Sequence, residues 1–336
     1  MQPTDFSIYL TNFLSKYLPA ERGASRNTIA AYRDTFVLLI NYLESIGVKP
    51  NKLTLNKLDR VAILGFLAWI QKERNGSDLT RNMRLSAVHS FFKYLQYHRP
   101  ENLHSYQEIL CIPMKRAKQK VMTYLSIEGI ALLLQQPDTT TQKGRRDLAL
   151  LSLMYDIGAR VQEVIDLTPS CLRLDKPLTI KVTGKGNKAR IIPMLEGQTR
   201  LLRIYMGEHK LNEPGSNMYP LFFNSRMEKL TRAGINHILG KYAKMAEQKD
   251  PKLIPTHITC HSLRHSKAMH LLQAGVNLVY IRDILGHVSV TTTEIYARAD
   301  SRKKREAIEA AYVETAPKET PLWLKSDNLM EWLRAL

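Results

Sequence analysis

The spacing of apolar residues in the N-terminal third of the chain indicates a series of amphipathic helices. Apolar side chains recur at intervals of three and four residues, which places them on one face of an α-helix. Pro19 and Gly47 stand where the first two patterns stop, and both residue types end helices. The predicted helices cover residues 5–18, 25–45, 56–73 and 80–98. Together they predict a small helical bundle.

From Tyr124 onward the pattern is mixed. Residues 178–182 alternate as a β-strand does, the turn sequence TGKGNK follows, and residues 189–193 return, which predicts a β-hairpin. Further helices are predicted over residues 126–134, 146–157, 198–211 and 231–247. The chain is therefore expected to be mainly α with a small β-hairpin or sheet. A helical N-terminal domain would precede an α+β domain.

Residues 257–298 are expected to form three short helices. Asn277 is suited to begin the second of them, and Gly286 is suited to the left-handed position that ends it. Thr291 and Glu294 have the spacing of a capping box, which would begin the third helix. The short helices place several polar side chains near loops.

Prolines and a basic segment without an apolar period suggest the domain boundaries. The helix that carries Tyr296 is expected to continue through Ala311, until Pro317 and Pro321 break it. The segment CIPMKRAKQKVMT has no apolar period and is rich in Lys and Arg, as a basic linker would be. The predicted organisation is a helical domain over 1–110, a linker over 111–123, a second domain over 124–320 and a C-terminal helix over 321–336.

Composition places the chain among globular proteins. Its 336 residues are 44% hydrophobic, no run of 18 apolar residues occurs, and the start MQPTDFSIYL lacks the features of a signal peptide. A cytoplasmic protein without a membrane partner is expected. The three cysteines, Cys111, Cys171 and Cys260, are too widely spaced for a Cys-x-x-Cys metal site, and their odd number does not suggest a disulfide framework.

The positive charge points to a polyanionic partner. The net charge is +18, and residues 1–120 contain 18 Lys and Arg against 9 Asp and Glu, so the excess is shared between both parts of the chain. Charge alone is equally consistent with a solvated basic surface. With the motifs below, it favours nucleic acid.

The chemistry-bearing residues fall into a spaced series. His261 and Arg264 lie in HSLRH, His287 lies in LGH, and Tyr296 stands nine residues beyond it. Arg160 lies upstream in GARVQE, and Lys185 lies in the turn of the predicted hairpin. In order and spacing these segments resemble the tyrosine recombinase (phage integrase) family. The helical N-terminal bundle is similar to that of Xer-like members, and the tail after Tyr312 favours an integrase or transposase of a mobile element among them. Five matches between Arg160 and Tyr296 are more specific evidence for a family than one short motif.

The resemblance implies a fold and a reaction. A helical core-binding domain and a catalytic domain would close around double-stranded DNA, usually as a tetramer, with accessory proteins in some systems. Tyr296 would attack a phosphodiester to form a 3′-phosphotyrosyl linkage, without metal, ATP or another cofactor. Arg160 and Arg264 would bind the phosphate, His261 would assist proton removal, and His287 would hydrogen-bond the phosphate. Lys185 would protonate the leaving 5′ oxygen.

Other functions fit parts of the same pattern. A type IB topoisomerase would share the chemistry, and a non-catalytic relative would retain only DNA binding. His257, His261 and His265 are four residues apart and could mimic a metal-binding stripe, but the Glu of H-E-x-x-H is missing. The turn also lacks the upstream Gly of a phosphate-binding loop for ATP. Integration, transposition, excision and chromosome-dimer resolution are not separated by these motifs.

Additional basic residues are candidates for DNA contact. Each of them could instead be an ordinary solvated side chain, and the family resemblance favours contact. They are Arg81, Arg84, His89, Lys115, Arg116, Lys118, Lys188 and Arg190.

Overall fold

The structure is a computed structural model, and it describes residues 2–116, 122–287, 289–300 and 333–334. The chain divides into two compact units, with the boundary between residues 120 and 121. Each unit has a hydrophobic core of its own. The fold class predicted from the sequence, mainly α with a small β-sheet, is confirmed. None of the helices in the described part is long and apolar enough to span a membrane.

The first unit is a helical bundle around an aromatic core. Phe13, Phe36 and Phe91 meet at its centre, with ring centroids 5.1–6.3 Å apart. Ser25 caps α2 as its position before the apolar pattern suggested, by accepting a hydrogen bond from Thr28 N. The helices are α1 (Asp5–Asn12), α2 (Arg26–Ser45), α3 (Arg60–Lys72), α4 (Asp78–His98) and α5 (Leu103–Leu110).

Two features of this bundle differ from the sequence prediction. The chain does not leave the helical path before Pro19: α1 continues directly into a π-helical segment, Phe13–Glu21, that contains this proline. The wider turn shifts hydrogen bonds to the carbonyl five residues back, as from Arg22 N to Tyr17 O, and aromatic packing of Tyr17 on Tyr94 holds the segment. The short helix α5 was not predicted. It buries Tyr106 and Ile109.

The second unit places helices around a small antiparallel sheet. Its α-helices before residue 257 are α6 (Ile127–Leu134), α7 (Gln142–Asp156), α8 (Val161–Ile165), α9 (Glu196–Glu208) and α10 (Arg232–Lys249). The predicted hairpin is formed by β2 (Thr179–Thr183) and β3 (Ala189–Pro193), with Val182 opposite Arg190. A two-residue strand, β1 (Leu172–Arg173), pairs with β2 and was not predicted.

The end of this unit contains α11 (Cys260–Gln273), α12 (Leu278–Leu285) and α13 (Thr291–Ala299). Asn277 caps α12, and Gly286 adopts φ 66° after it, as predicted. The predicted capping box at Thr291 is wrong, because Thr291 is already inside α13 and its N–H donates to Ser289 Oγ.

The C-terminal predictions have different outcomes. α13 ends at Ala299, and Asp300 is extended. The predicted helix through Ala311 is therefore interrupted at Asp300, and the prediction of a continuous helix is wrong. Residues 301–332 lie outside the described residues. The predicted C-terminal helix therefore lies almost wholly outside them too.

Candidate active site

The beginning of α11 carries two of the candidate residues, which differ in exposure. Thr259 and Ser262 form a reciprocal capping box that fixes the first turn of the helix. His261 is exposed, whereas Arg264 is only 3% exposed. The Arg264 guanidinium donates to Gly158 O and to Leu285 O, both at 2.7 Å. Arg264 therefore joins the connection between α7 and α8 to the end of α12.

The charge of Arg264 is costly to bury and is not matched by a direct carboxylate partner. Burial, reinforced by the positive charge of Arg160, lowers the pKa of Arg264 to about 10. The side chain still carries its charge at neutral pH. A buried, prepositioned guanidinium of this kind is suited to an anion that develops charge during a reaction.

Arg160 occupies the residue just before α8. Its Nη1 lies 2.8 Å from Glu163 Oε1, and its backbone N–H donates to Glu163 Oε2 at 2.8 Å. Its Nη2 donates to Gly286 O at 3.1 Å. The ion pair with Glu163 that the sequence suggested is therefore present, but the Arg160 side chain remains 35% exposed. The Arg160 side chain is therefore partly accessible to a ligand.

Tyr296 lies inside the unit, in the second turn of α13. It is 1% exposed, and its hydroxyl lies 3.1 Å from His265 Nδ1. Burial raises the pKa of Tyr296, and the positive charges of Arg264 and Arg160 only partly oppose that increase. The surroundings of Tyr296 in this arrangement therefore do not lower its pKa, as activation of the hydroxyl would require. Burial has the larger effect.

His287 follows the left-handed Gly286 and faces the tyrosine. Its ring is parallel to that of Tyr296, with centroids 6.3 Å apart, and its Nδ1 lies 2.9 Å from Thr293 Oγ1. Burial, together with the charges of Arg264 and Arg160, lowers the pKa of His287 to about 4. The imidazole is therefore neutral at physiological pH. In that form one ring nitrogen donates and the other accepts a hydrogen bond.

The Lys185 backbone lies in the turn between β2 and β3. The turn is closed by a hydrogen bond from Gly184 N to Lys188 O, and Gly186 adopts φ 76° within it. The position of the Lys185 side chain lies outside what the structure describes. The structure thus places its turn but not its amine.

Two further residues belong to this site in ways that the sequence did not suggest. His265 was considered only as part of a metal-binding stripe, yet it contacts the Tyr296 hydroxyl. Its position four residues after His261, on the same helix, was the available signal. Arg190 was predicted to contact DNA, but its guanidinium contacts Glu163 and Ile284 O instead. No local pattern indicates these contacts, because the partners are distant in the sequence.

The predicted DNA-contact residues of the first unit differ in exposure. Arg81 is 5% exposed and donates to Pro113 O, while Arg84 donates to Ala31 O. His89 is half-buried, with its Nε2 3.1 Å from Ile109 O. These contacts are made within the bundle.

The remaining candidates are more accessible. The side chains of Lys115 and Arg116 are exposed, as is Lys188 in the hairpin turn of the second unit. Lys118 lies outside the described residues. Within the described ranges, three or more His, Cys, Asp or Glu residues are nowhere grouped so as to hold a metal ion.

A helical unit followed by an α+β unit that gathers two arginines, three histidines and a tyrosine has the organisation of enzymes that break and rejoin DNA through a tyrosine. Comparison with known families agrees with this organisation. The chain belongs to the phage integrase family, whose model matches residues 123–303, and the model of the phage integrase N-terminal SAM-like domain matches residues 11–98. Its homologues include tyrosine recombinases, and the chain is an enzyme of that class.

Relatives with similar sequences extend over nearly the whole chain. The integrase/recombinase y4rC of Sinorhizobium fredii is 35% identical over 97% of this chain and 97% of its own length. The tyrosine recombinase XerD of Listeria innocua is 32% identical over 86% of this chain and 94% of its own length. Both have lengths close to that of this protein.

Solved structures are similar in fold. XerH site-specific recombinase, bound to its palindromic difH substrate after cleavage, matches with a TM-score of 0.68 and 25% identity, over 88% of this chain and 83% of that chain. The Tn1549 transposon integrase in complex with transposon right end DNA has a TM-score of 0.69 at 17% identity, over 90% and 98%. The latter is a likeness of fold.

Proposed function

We propose that this protein is the site-specific recombinase of a mobile element, and that it cleaves and rejoins double-stranded DNA through Tyr296. The family assignment supports site-specific recombination as the activity. The observation that carries the residue assignment is the enclosure of the Tyr296 ring and hydroxyl by His265 and His287, next to the buried Arg264.

In the proposed reaction, the Tyr296 hydroxyl oxygen attacks the scissile phosphorus. A bond forms between the tyrosine oxygen and phosphorus, and the bond from phosphorus to the 5′ oxygen breaks. The phenolic proton passes to His261 or to water, and Lys185 gives a proton to the departing 5′ oxygen. Attack by another 5′ hydroxyl reverses these steps and rejoins DNA. No net oxidation or hydrolysis occurs.

The negative charge that accumulates on the phosphate requires positive, prepositioned donors. Arg160 is suited to bind the phosphate first, because its side chain is 35% exposed. Arg264 lies deeper and would complete the binding when the DNA and Tyr296 come together. His287, which is neutral, would donate a hydrogen bond to a non-bridging oxygen. Guanidinium groups suit this task because they donate two parallel hydrogen bonds to phosphate.

Tyr296 must become accessible for this reaction. Its hydroxyl is enclosed in the structure described here, and a residue that is 1% exposed cannot meet a phosphodiester without movement of α13 or its neighbours. We therefore place a rearrangement of α13 before cleavage. Binding of DNA at the partly exposed Arg160 would supply the free energy for this rearrangement.

The exposed basic residues are the favoured DNA contacts. Lys115, Arg116 and Lys188 are exposed and can reach phosphates, although Lys115 would give up its contacts with Gln71 and Asp78 to do so. Arg81, Arg84 and His89 have intramolecular hydrogen bonds, so we propose that they support the shape of the binding surface and contact DNA through any remaining donors. Lys118 remains a candidate from the sequence.

We propose an assembly on the basis of the family. A tetramer on two recombination sites, with helix 321–336 docked on a neighbouring protomer, would coordinate the exchange of four strands. Accessory proteins could set the direction of the reaction. We favour integration or transposition over chromosome-dimer resolution, because y4rC, which is similar over 97% of this chain, is named an integrase/recombinase. Because its substrate is DNA, we place the protein in the cytoplasm.

The test requires a DNA substrate that the protein itself selects. A random duplex library is enriched for binding by the Tyr296→Phe variant, and the selected duplex is then nicked near its centre to trap cleavage. The unaltered protein should form covalent complexes that resist denaturation, in EDTA as well as in Mg²⁺. Tyr296→Phe should bind equally well and form none.

Tyr280→Phe is the matched control, because Tyr280 is also on a helix of this end of the unit but is 66% exposed. It should form covalent complexes normally. Covalent complexes that persist in Tyr296→Phe would place the nucleophile elsewhere. Relaxation of supercoiled DNA without strand exchange between two sites would favour a topoisomerase.

A further inference from the structure

Arg190 is a basic residue of the hairpin whose side chain is directed into the protein. Only 12% of its side chain is exposed. Its Nη1 and Nη2 lie 3.1 Å and 2.7 Å from the two carboxylate oxygens of Glu163. Its Nε donates to Ile284 O at 2.8 Å. Three directed hydrogen bonds from one guanidinium fix its position more tightly than a single ion pair would.

Glu163 is the shared partner of two arginines. It is 4% exposed at its side chain, and it also accepts hydrogen bonds from the Arg160 side chain and backbone. Burial acts to raise the pKa of Glu163, but hydrogen bonds from Arg190 and Arg160 outweigh it and hold that pKa below its ordinary value. The carboxylate therefore stays charged. It links β3 to the start of α8.

The same contacts hold the base of the Lys185 turn. Arg190 pairs with Val182 across the hairpin, two residues before Gly184 on the opposite strand. Gly184 immediately precedes Lys185, and a Cβ there would lie 3.0 Å from Glu163 Oε1 and 3.6 Å from Arg190 Nη1. The backbone of the turn therefore lies directly against the ion pair of Arg190 and Glu163. Any shift of Arg190 or Glu163 would move the backbone that carries Lys185.

The opposite side of Arg190 is the end of α12. A Cβ at Gly286 would lie 2.8 Å from Arg190 Nη1, and Gly286 immediately precedes His287. Gly286 O also accepts a hydrogen bond from Arg160. One guanidinium therefore contacts the hairpin, the start of α8 through Glu163, and the segment that leads to His287.

We propose that Arg190 is a positioning residue, which holds the Lys185 turn in register with Arg160 and His287 so that the leaving oxygen can be protonated at the phosphate that the other two bind. This inference rests on the proposed function. It replaces the expectation that Arg190 contacts DNA. When Arg190 is replaced, Arg160 can still pair with Glu163, so the residues that bind the phosphate keep their positions. The hairpin, by contrast, loses the contacts that fix it to Glu163 and to the end of α12.

The experiment compares two substrates made from the selected, nicked duplex. One has the natural 5′ oxygen at the scissile bond, and the other has a 5′-bridging sulfur, which leaves without needing a proton. The variants are Arg190→Gln, which removes the charge, and Arg190→Lys, which keeps the charge but cannot make the three directed bonds. Lys181→Gln, at an exposed position on β2 of the same hairpin, is the matched control.

We expect Arg190→Gln to slow covalent complex formation on the oxygen substrate by roughly 100-fold, the loss that a small misplacement of a catalytic group causes. DNA affinity should stay within about twofold of the unaltered protein, since Arg190 is not on the binding surface. The sulfur substrate should restore most of the rate. Arg190→Lys should lie between, and Lys181→Gln should match the unaltered protein.

Three results would overturn the proposal. Reduced DNA affinity with a normal cleavage rate would make Arg190 a DNA contact, as first expected from the sequence. Equal loss on both substrates would mean that Arg190 acts through Arg160 or His287, or through folding in general. Normal cleavage in both variants would remove its role. If the unaltered protein itself forms no covalent complex, it is the proposed function that fails.

Discussion

The side chain that contacts the Tyr296 hydroxyl is His265, with its Nδ1 3.1 Å from the phenolic oxygen. Burial, with the charges of His261 and Arg264, lowers the pKa of His265 to about 4. An imidazole with so low a pKa is a weak base, so it is better suited to hold the hydroxyl than to remove its proton. His265 is thus suited to a different task from the one that family resemblance gives to His261.

The first prediction concerns that hydrogen bond. His265→Ala should slow cleavage of the nicked duplex by roughly 100-fold, because the nucleophile loses its orientation. His265→Asn should retain more activity, since the amide of Asn can occupy the place of Nδ1. Single-turnover rates of covalent complex formation at saturating protein would measure both. An Ala variant that cleaves at the normal rate would show that the contact is not used in the reaction.

The second prediction concerns pH. The pKa values of His265 and His287 fall from 6.5 in the unfolded chain to about 4 in the folded protein. The unfolded chain therefore binds more protons below about pH 6.5, and the free energy of unfolding should decrease as pH falls through this window. Thermal unfolding between pH 7 and pH 5 would test this, because that range lies above the ordinary pKa of 4.5 of Glu163.

The control for the pH prediction is the double variant His265→Asn, His287→Asn. Asn does not titrate in this range, so its unfolding temperature should depend less on pH. Equal pH dependence in the variant and in the unaltered protein would assign the effect to other groups.

The third prediction uses two glycines with left-handed backbones. Gly286 and Gly275 have φ values of 66° and 86°, so Ala at either position should destabilise the protein by about 1–2 kcal/mol. At Gly286 the new Cβ would also meet Arg190 at 2.8 Å, whereas at Gly275 nothing lies within 4 Å. Gly286→Ala should therefore lose cleavage activity as well as stability. Denaturant unfolding and cleavage rates measure the two effects separately.

The control Gly275→Ala carries the same backbone strain without the steric contact. It should lose stability while its cleavage rate at moderate temperature stays normal. Similar cleavage rates in the two variants would mean that the fit of Arg190 against Gly286 is unimportant for the reaction.

The fourth prediction concerns the DNA surface. Affinity for the selected duplex should fall steeply with salt, because each neutralised phosphate contributes about −0.9 to the slope of log affinity against log salt. Arg116→Ala and Lys188→Ala should each make the slope shallower by about that amount. Lys176→Ala is the control, since Lys176 is exposed but pairs with Glu196. If neither slope changes, these residues do not contact DNA.

Much of this protein is determined locally in the sequence. Ser25 and Asn277 cap their helices because a short polar side chain can accept a hydrogen bond from the backbone two or three residues later. Gly286 ends α12 because a residue without Cβ takes the left-handed conformation at little cost. The alternating apolar and polar residues on either side of TGKGNK predicted the hairpin that the structure contains. The motif spacing led to the family, with Arg160, His261, Arg264, His287 and Tyr296 in one unit.

Only the tertiary structure decided which of these side chains are enclosed and what they contact. Arg264 and Tyr296 are buried while His261 is exposed, because helix packing, and not sequence spacing, determines which side of α11 and α13 faces the core. Helical structure continues through Pro19 because distant aromatic rings pack on that segment. The partners of Arg190 lie 27 and 94 residues away in sequence, so no local pattern could distinguish an anchor of the active site from a DNA contact.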